Sequence, residues 1–307
     1  MYYSTGDIST ADNDATYCMF FNKQLVEDYN LGYDFYSLVK DGKWTFDVYN
    51  ECVSTVHKDL DGDGSYNNKD TFGALLWDDC MMGIFNAIGE KCCTVDDNGQ
   101  IELTLMNEKT ADIVNKFFTT AFDKSLSYTY QRTSWDGTDA VNMFSNNQAL
   151  FFLQLLRSAE LLRNMNADFG ILPYPKYDEA QSEYYCTVGS WHSVFLCVPL
   201  TQEDPERTGA IIEALAYESV DTLTPAYYDI SLKGKYSRDN ESADMLDIIF
   251  KSRTYDLGWF YQVGDYNESV MNMLRKFNNN YVSMYETSLS KAQVLIDKIN
   301  TAFSSIK

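Results

Sequence analysis

Between Asp59 and Asp70 the sequence reads DLDGDGSYNNKD, twelve residues whose oxygens fall where a calcium ion takes its ligands. Counted from Asp59, carboxylates stand at positions one, three and five (Asp59, Asp61, Asp63), and Gly64 at six can take the positive φ of a sharp turn. Ser65 at seven offers its backbone carbonyl, and Asn67 at nine ligates directly or through water. Asp70 closes the set at twelve, where the longer Glu is usual, so the loop must draw in more tightly. The same composition also describes a plain Asp/Gly/Asn turn that only reverses the chain. An ion held this way is structural Ca2+, and nothing in an oxygen cage of this kind implies catalysis.

The elements around the loop say what it would position. Upstream, Thr45 is a candidate N-cap, Asp47 suits the positive end of a helix dipole, and Tyr49, Cys52, Val53 and Val56 line one helical face. Downstream, Phe72-Gly73-Ala74-Leu75-Leu76-Trp77 reads as a buried strand. With one helix only, this is half of an EF-hand. It predicts a clip between helix and strand rather than a sensor that opens a helix pair.

Catalytic patterns are not apparent. Of the two histidines, His57 lies on the helix before the acidic loop and reads as a surface residue. His192 sits in GSWHS, which is not a GxSxG elbow, and reads as a satisfied or exposed side chain; Ser190 and Ser193 show no base-and-orienter partner. No phosphate-binding glycine loop is present. Acidic residues are too numerous for a glycosidase pair to be chosen or excluded.

The chain has 307 residues, 45% of them apolar, enough for two domains or two lobes. Forty-five acidic against 24 basic side chains leave a formal charge of −21, so nucleic acid and anionic membrane surfaces are disfavoured partners. No apolar run approaches the ~20 residues that cross a bilayer. The opening MYYSTGDIS lacks a basic region and an apolar core, so a secretion signal is not within the sequence. Seven cysteines without CxxC spacing give poor support to a zinc site, and neighbouring Cys92 and Cys93 rarely bond each other.

Along the chain, YCMFFN (Tyr17–Asn22) reads as a strand followed by a helix over Lys23–Tyr29. A helix over Asn107–Phe122 has an Asn cap and carries Ile113, Val114, Phe117, Phe118 and Ala121 on one side. A polar loop over Ser125–Thr138 leads to a short helix (Asp139–Phe144), a strand (Ala149–Leu153) and a helix over Arg157–Met165. Strands are expected at Phe169–Pro173 and Ser193–Val198. Helices follow: one opening at Pro205 with Ile211, Ile212, Leu215 and Ala216 buried, one with Met245, Ile248 and Ile249, one over Ser269–Phe277 and one over Leu289–Phe303. No internal repeat is visible.

Several segments together resemble the extracellular solute-binding proteins of ABC importers, of the family-one, sugar-binding type found in Gram-positive gut bacteria. They are Phe21–Tyr49, the acidic loop with DTFGALLW after it, Met143–Tyr185, Val198–Ser219 and Pro225–Ile249, in the family's order. The loop itself resembles the dockerin type. The resemblance implies an α/β, bilobed, periplasmic-binding-protein-like type II fold, hinged so as to close over a sugar and hand it to a membrane permease. YCMFFN and the FGILPYP region would be the two crossings. Residues 1–21 would be a stub of one lobe, 22–168 the second lobe with the calcium loop, and 169–307 the second crossing and helical remainder of the first lobe. The first part of that lobe, with signal and lipid anchor, is expected ahead of Met1, making the full-length form a cell-surface lipoprotein.

Sugar receptors stack rings on C–H faces and aim polar groups at hydroxyls. With 15% aromatic residues, including 23 Tyr, the chain has rings to spare. The family layout points to Trp77 with Asp78, Trp135 with Asp136, Gln154 with Arg157, Trp191, and from the other lobe Tyr228 and Trp259. Ordinary roles compete for each: core packing for the tryptophans, a surface ion pair for Arg157. The reading is a non-enzymatic receptor, monomeric, with a carbohydrate ligand and permease partners. A carbohydrate-active enzyme or secreted carbohydrate-binding module is the alternative, and a remnant that binds only calcium is a third possibility.

Overall fold

The computed structural model of the chain describes residues 3–129, 137–199, 201–227 and 240–304. Its centre is a mixed sheet of five strands, β1 (Tyr17–Asn22), β2 (Phe72–Leu76), β3 (Ser127–Thr129), β4 (Ala149–Leu155) and β5 (Phe169–Leu172), in the spatial order β3-β2-β4-β1-β5. β2 runs parallel to β3 and β4, and β1 lies antiparallel between β4 and β5, with Phe20 opposite both Phe152 and Ile171. Both expected crossings, YCMFFN and FGIL, are thus neighbours in one sheet.

Strand alternation divides the side chains between two faces. Tyr17, Met19, Phe21, Phe151, Leu153 and Leu155 enter the larger core, whereas Cys18, Phe20, Phe152 and Ile171 enter a second one. Helices Phe35–Lys40, Phe46–Thr55, Cys80–Ala87 and Glu108–Ala121 contribute to the first; Thr138–Ser145 and Asn240–Lys251 contribute to the second. The result is a three-layer α/β arrangement in which β1 and β2 are buried along their whole length. Residues from Trp259 to Ile299, set beyond the second crossing by the sequence reading, share the larger core with the sheet.

Local signals explain most helix starts. Thr45 accepts the Val48 N–H, and Asn107 forms a reciprocal capping box with Thr110. Ile113, Val114, Phe117, Phe118 and Ala121 are all buried, as their spacing requires. The last helix begins earlier than expected, at Tyr281, where the Asn280 side chain accepts the Ser283 N–H.

Three expectations are corrected. In place of a helix over Arg157–Met165 there is a 3-10 turn, Leu156–Glu160, with Leu156, Ser158 and Ala159 buried; Leu162, also buried, lies just beyond it. The strand expected over Ser193–Val198 is only Leu196–Cys197, paired with Tyr3–Ser4. The helix Pro205–Asp221 forms, capped by Asp204, yet none of its residues is buried; Ile211 is 53% exposed because no described element covers that face.

Candidate functional site

β2 ends at Leu76, and Trp77, Asp78 and Asp79 follow at its carboxyl end, before the helix Cys80–Ala87. Parallel strands of an open α/β sheet present ligands with this edge. β4 runs parallel to β2 and ends at the same edge with Gln154 and Leu155, and antiparallel β1 begins there with Tyr17 opposite Leu155.

The half-buried indole of Trp77 lies 5.8 Å from the Tyr17 ring and 5.1 Å from His192. Asp78 is buried and paired with Nε of Arg275 from the helix Tyr266–Lys276, and Nη1 of the same guanidinium reaches Glu268 at 2.6 Å. Burial raises the Asp78 pKa, the charge on Asp79 adds to it, and Arg275 opposes both. Asp79 is buried too. Its Oδ2 takes the Tyr17 hydroxyl at 3.5 Å and faces His192 Nε2 at 3.3 Å. Burial, and then the Asp79 charge, pushes the Tyr17 hydroxyl well above its ordinary pKa.

The loop Gly189–Ser193 covers this group. Gly189 donates to the Ala15 carbonyl at 2.8 Å, and its own carbonyl accepts the N–H groups of His192 and Ser193, both at 3.0 Å. A Cβ at 189 would stand 2.8 Å from Tyr17 Cε1 and 3.2 Å from His192 Cδ2, so the close approach of loop to ring requires glycine. Trp191 projects from the loop, 41% exposed. The hydroxyls of Ser190 and Ser193 are buried without a partner among the described residues.

Of the residues chosen from sequence, Trp77, Asp78 and Gln154 lie at this edge, Arg157 follows β4 in the 3-10 turn, and Trp191 stands beside His192 in the covering loop. The side-chain oxygen of Gln154 accepts the Leu155 N–H at 2.7 Å, and Arg157 faces Asp14 electrostatically. Trp259 is 1% exposed, packed against Phe85 in the core, and presents no ring face to a ligand. Trp135, Asp136 and Tyr228 lie outside the described residues. Asp79 and His192 went unrecognised in the sequence; an Asp-Asp doublet after a strand and a polar GSWHS loop were the only signals, and nothing local joins positions 113 apart.

In the acidic loop, ligand oxygens of Asp59, Asp61 and Asp63 lie within 4.8 Å of one another, a set of hard donors that fits Ca2+. Asp59 accepts the N–H groups of Gly62 at 2.7 Å and Gly64 at 2.8 Å, and the Gly64 bond leads in lowering its pKa. Gly64 has φ +79°, as the sharp turn demands. Ser65 offers its carbonyl to the Asn67 amide at 3.2 Å. Asp70 is placed otherwise than expected: it is buried, apart from the three-carboxylate group, and its oxygens accept the N–H groups of Leu60 at 2.9 Å and Asn67 at 2.8 Å, tying the loop's ends together.

No family model matches the sequence, and no curated protein matches it. Solved structures do. The sugar-binding protein MalE of Xanthomonas citri aligns over 95% of this chain and 71% of its own, with a TM-score of 0.61 at 11% identity. The ABC substrate-binding protein Lmo0181 of Listeria monocytogenes, in complex with cycloalternan, aligns over 94% and 70%, with a TM-score of 0.54 at 10% identity. The maltose/maltodextrin-binding domain MalE of Bdellovibrio bacteriovorus, bound to maltotriose, aligns over 92% and 70%, with a TM-score of 0.54 at 14% identity. This chain has the fold of ABC-transporter sugar-binding proteins. The likeness is one of backbone architecture, at which identities of this size place it, and it runs through nearly all of the chain. At the Trp77 edge of this fold the Tyr17, Trp77 and His192 rings meet the Asp79 carboxylate. Among the described residues no helix is long and apolar enough to cross a membrane.

Proposed function

We propose that this chain is the ligand-capturing component of an ABC importer, taking a carbohydrate reversibly outside the membrane and presenting it, as a monomer, to permease subunits. The observation that carries the reading is the Trp77 indole set against Asp79, Tyr17 and His192 at the carboxyl edge of the sheet. An apolar ring face beside carboxylate, imidazole and hydroxyl groups matches the alternating C–H faces and hydroxyls of a sugar. Neighbours that share the fold hold cycloalternan and maltotriose. Binding is favoured over hydrolysis because the two carboxylates here are neighbours in sequence and one of them, Asp78, is paired with Arg275. A glycosidase needs two carboxyl groups facing each other across the scissile bond.

We assign a structural calcium ion to Asp59, Asp61 and Asp63. The neck of their loop is closed by reciprocal backbone bonds between Lys58 and Thr71, both 3.0 Å, so an ion there would pin the helix Phe46–Thr55 to β2.

Thermal unfolding in the presence of maltotriose or cycloalternan tests the receptor reading. A saturable rise in melting temperature with at least one of them, and unchanged sugar after long incubation, is expected. A flat response to both, or released hydrolysis products, overturns it.

A further inference from the structure

Asp79 and His192 meet beside the Trp77 ring although one follows β2 and the other belongs to the loop beyond β5. Among the described residues, the hydrogen-bond contacts of the Asp79 carboxylate go to Oδ2, at 3.5 Å from the Tyr17 hydroxyl and 3.3 Å from His192 Nε2. These are long for bonds to an ionised group, which ordinarily close to about 2.5–2.9 Å. Oδ1 of Asp79 and Nδ1 of His192 have no partner among the described residues. The buried hydroxyls of Ser190 and Ser193, in the same loop as His192, have none either. Buried polar groups are nearly always matched, so the two hydroxyls call for a partner, while Asp79 Oδ1 and His192 Nδ1, which are not among the buried unmatched atoms, are open to one that brings its own donors and acceptors beside the half-buried Trp77 indole.

Resting on the receptor reading above, we propose that Asp79 and His192 are the polar anchor of the ligand site. Asp79 Oδ1 accepts one hydroxyl of a neutral sugar ring. His192, oriented through Nε2 by Asp79, presents Nδ1 to a neighbouring hydroxyl, and Trp77 packs the ring's C–H face. The ligand class this selects is a saccharide with two adjacent free hydroxyls. Asp78, by contrast, is engaged by Arg275 and acts by placing Trp77 and Asp79 rather than by touching ligand.

The test is calorimetric titration of maltotriose and cycloalternan into the full chain and its Asp79→Asn, His192→Gln and Trp77→Leu variants, joined to histidine-ring 15N spectra. With only two histidines present, His57→Gln assigns His192. Loss of about tenfold or more in affinity is expected for Asp79→Asn and His192→Gln, with the melting temperature of unliganded His192→Gln kept, and sugar should shift the Nδ1 resonance of His192 in the wild-type chain. Affinities within about twofold of wild type in both variants and an unmoved Nδ1 signal, while Trp77→Leu loses binding, overturn the anchor and leave the receptor reading standing. No binding by the wild-type chain overturns both. Should Asp79→Asn fail to fold, His192→Gln and the wild-type 15N spectrum decide the matter alone.

Discussion

The N–H of Cys92 donates to Oδ2 of Asp256 at 2.7 Å, joining residues 164 positions apart. The same buried carboxylate accepts the Asn86 amide at 3.0 Å, the Gly258 N–H at 2.9 Å and the Cys93 N–H at 3.3 Å. It thereby fastens the start of the C-terminal helical layer to the hairpin Cys93–Val95/Ile101–Leu103 and the helix Cys80–Ala87.

Asp256→Leu strands those donors in a dry site and is expected to lower unfolding free energy by roughly 3 kcal/mol or more, whereas Asp256→Asn, which keeps one acceptor oxygen, costs less. Burial raises the folded pKa of Asp256 and the four donors oppose it. A raised carboxyl contributes stability that is complete below the ordinary carboxylate range and declines as pH rises through the folded pKa. The advantage of wild type over Asp256→Asn therefore narrows from acid to neutral pH, as urea denaturation at several pH values would show.

Calcium at a concentration about a hundredfold above its Kd should stabilise the chain by about 2.7 kcal/mol, and a chelator should remove the gain. Asp61→Ala with Asp63→Ala abolishes that response, because two of the three converging carboxylates are gone. Thermal melts with and without the ion measure it. An undiminished response in the double variant would move the ion elsewhere.

All seven cysteines are unpaired, six of them buried and Cys197 exposed. Burial pushes the Cys186 thiol up to about 11 and Cys52 to about 12, so neither supplies thiolate near neutrality. A thiol-reactive disulfide reagent should find one fast equivalent in the native chain, none in Cys197→Ser, and the buried set only after denaturant is added.

The helix Pro205–Asp221 shows Ile211, Leu215, Tyr217 and Val220 to solvent, Tyr217 at 70% exposure. Ile211→Lys with Leu215→Lys should change unfolding free energy by no more than about 0.5 kcal/mol and reduce light scattering at high concentration, since an exposed apolar stripe promotes association. A loss of about 2 kcal/mol would instead reveal a covered face.

What the sequence determined by itself is whatever depends on neighbours along the chain. The YCMFFN strand, the Asn107 cap with its Ile113–Ala121 stripe, and the Gly64 turn are set by steric preference and side-chain reach over a few residues, and each is found where its residues indicated. The position of Trp77 and Asp78 just after a buried strand was legible because a strand's carboxyl end follows from its apolar run. The tertiary structure alone decided the meetings: Asp79 with His192, Asp78 with Arg275, Asp256 with Cys92, and the withdrawal of Trp259 into the core. Burial and pairing across a hundred or more positions depend on how layers stack, and stacking leaves no local periodicity. The same cause explains the Pro205 helix, whose amphipathic spacing promised a buried face that no described element covers.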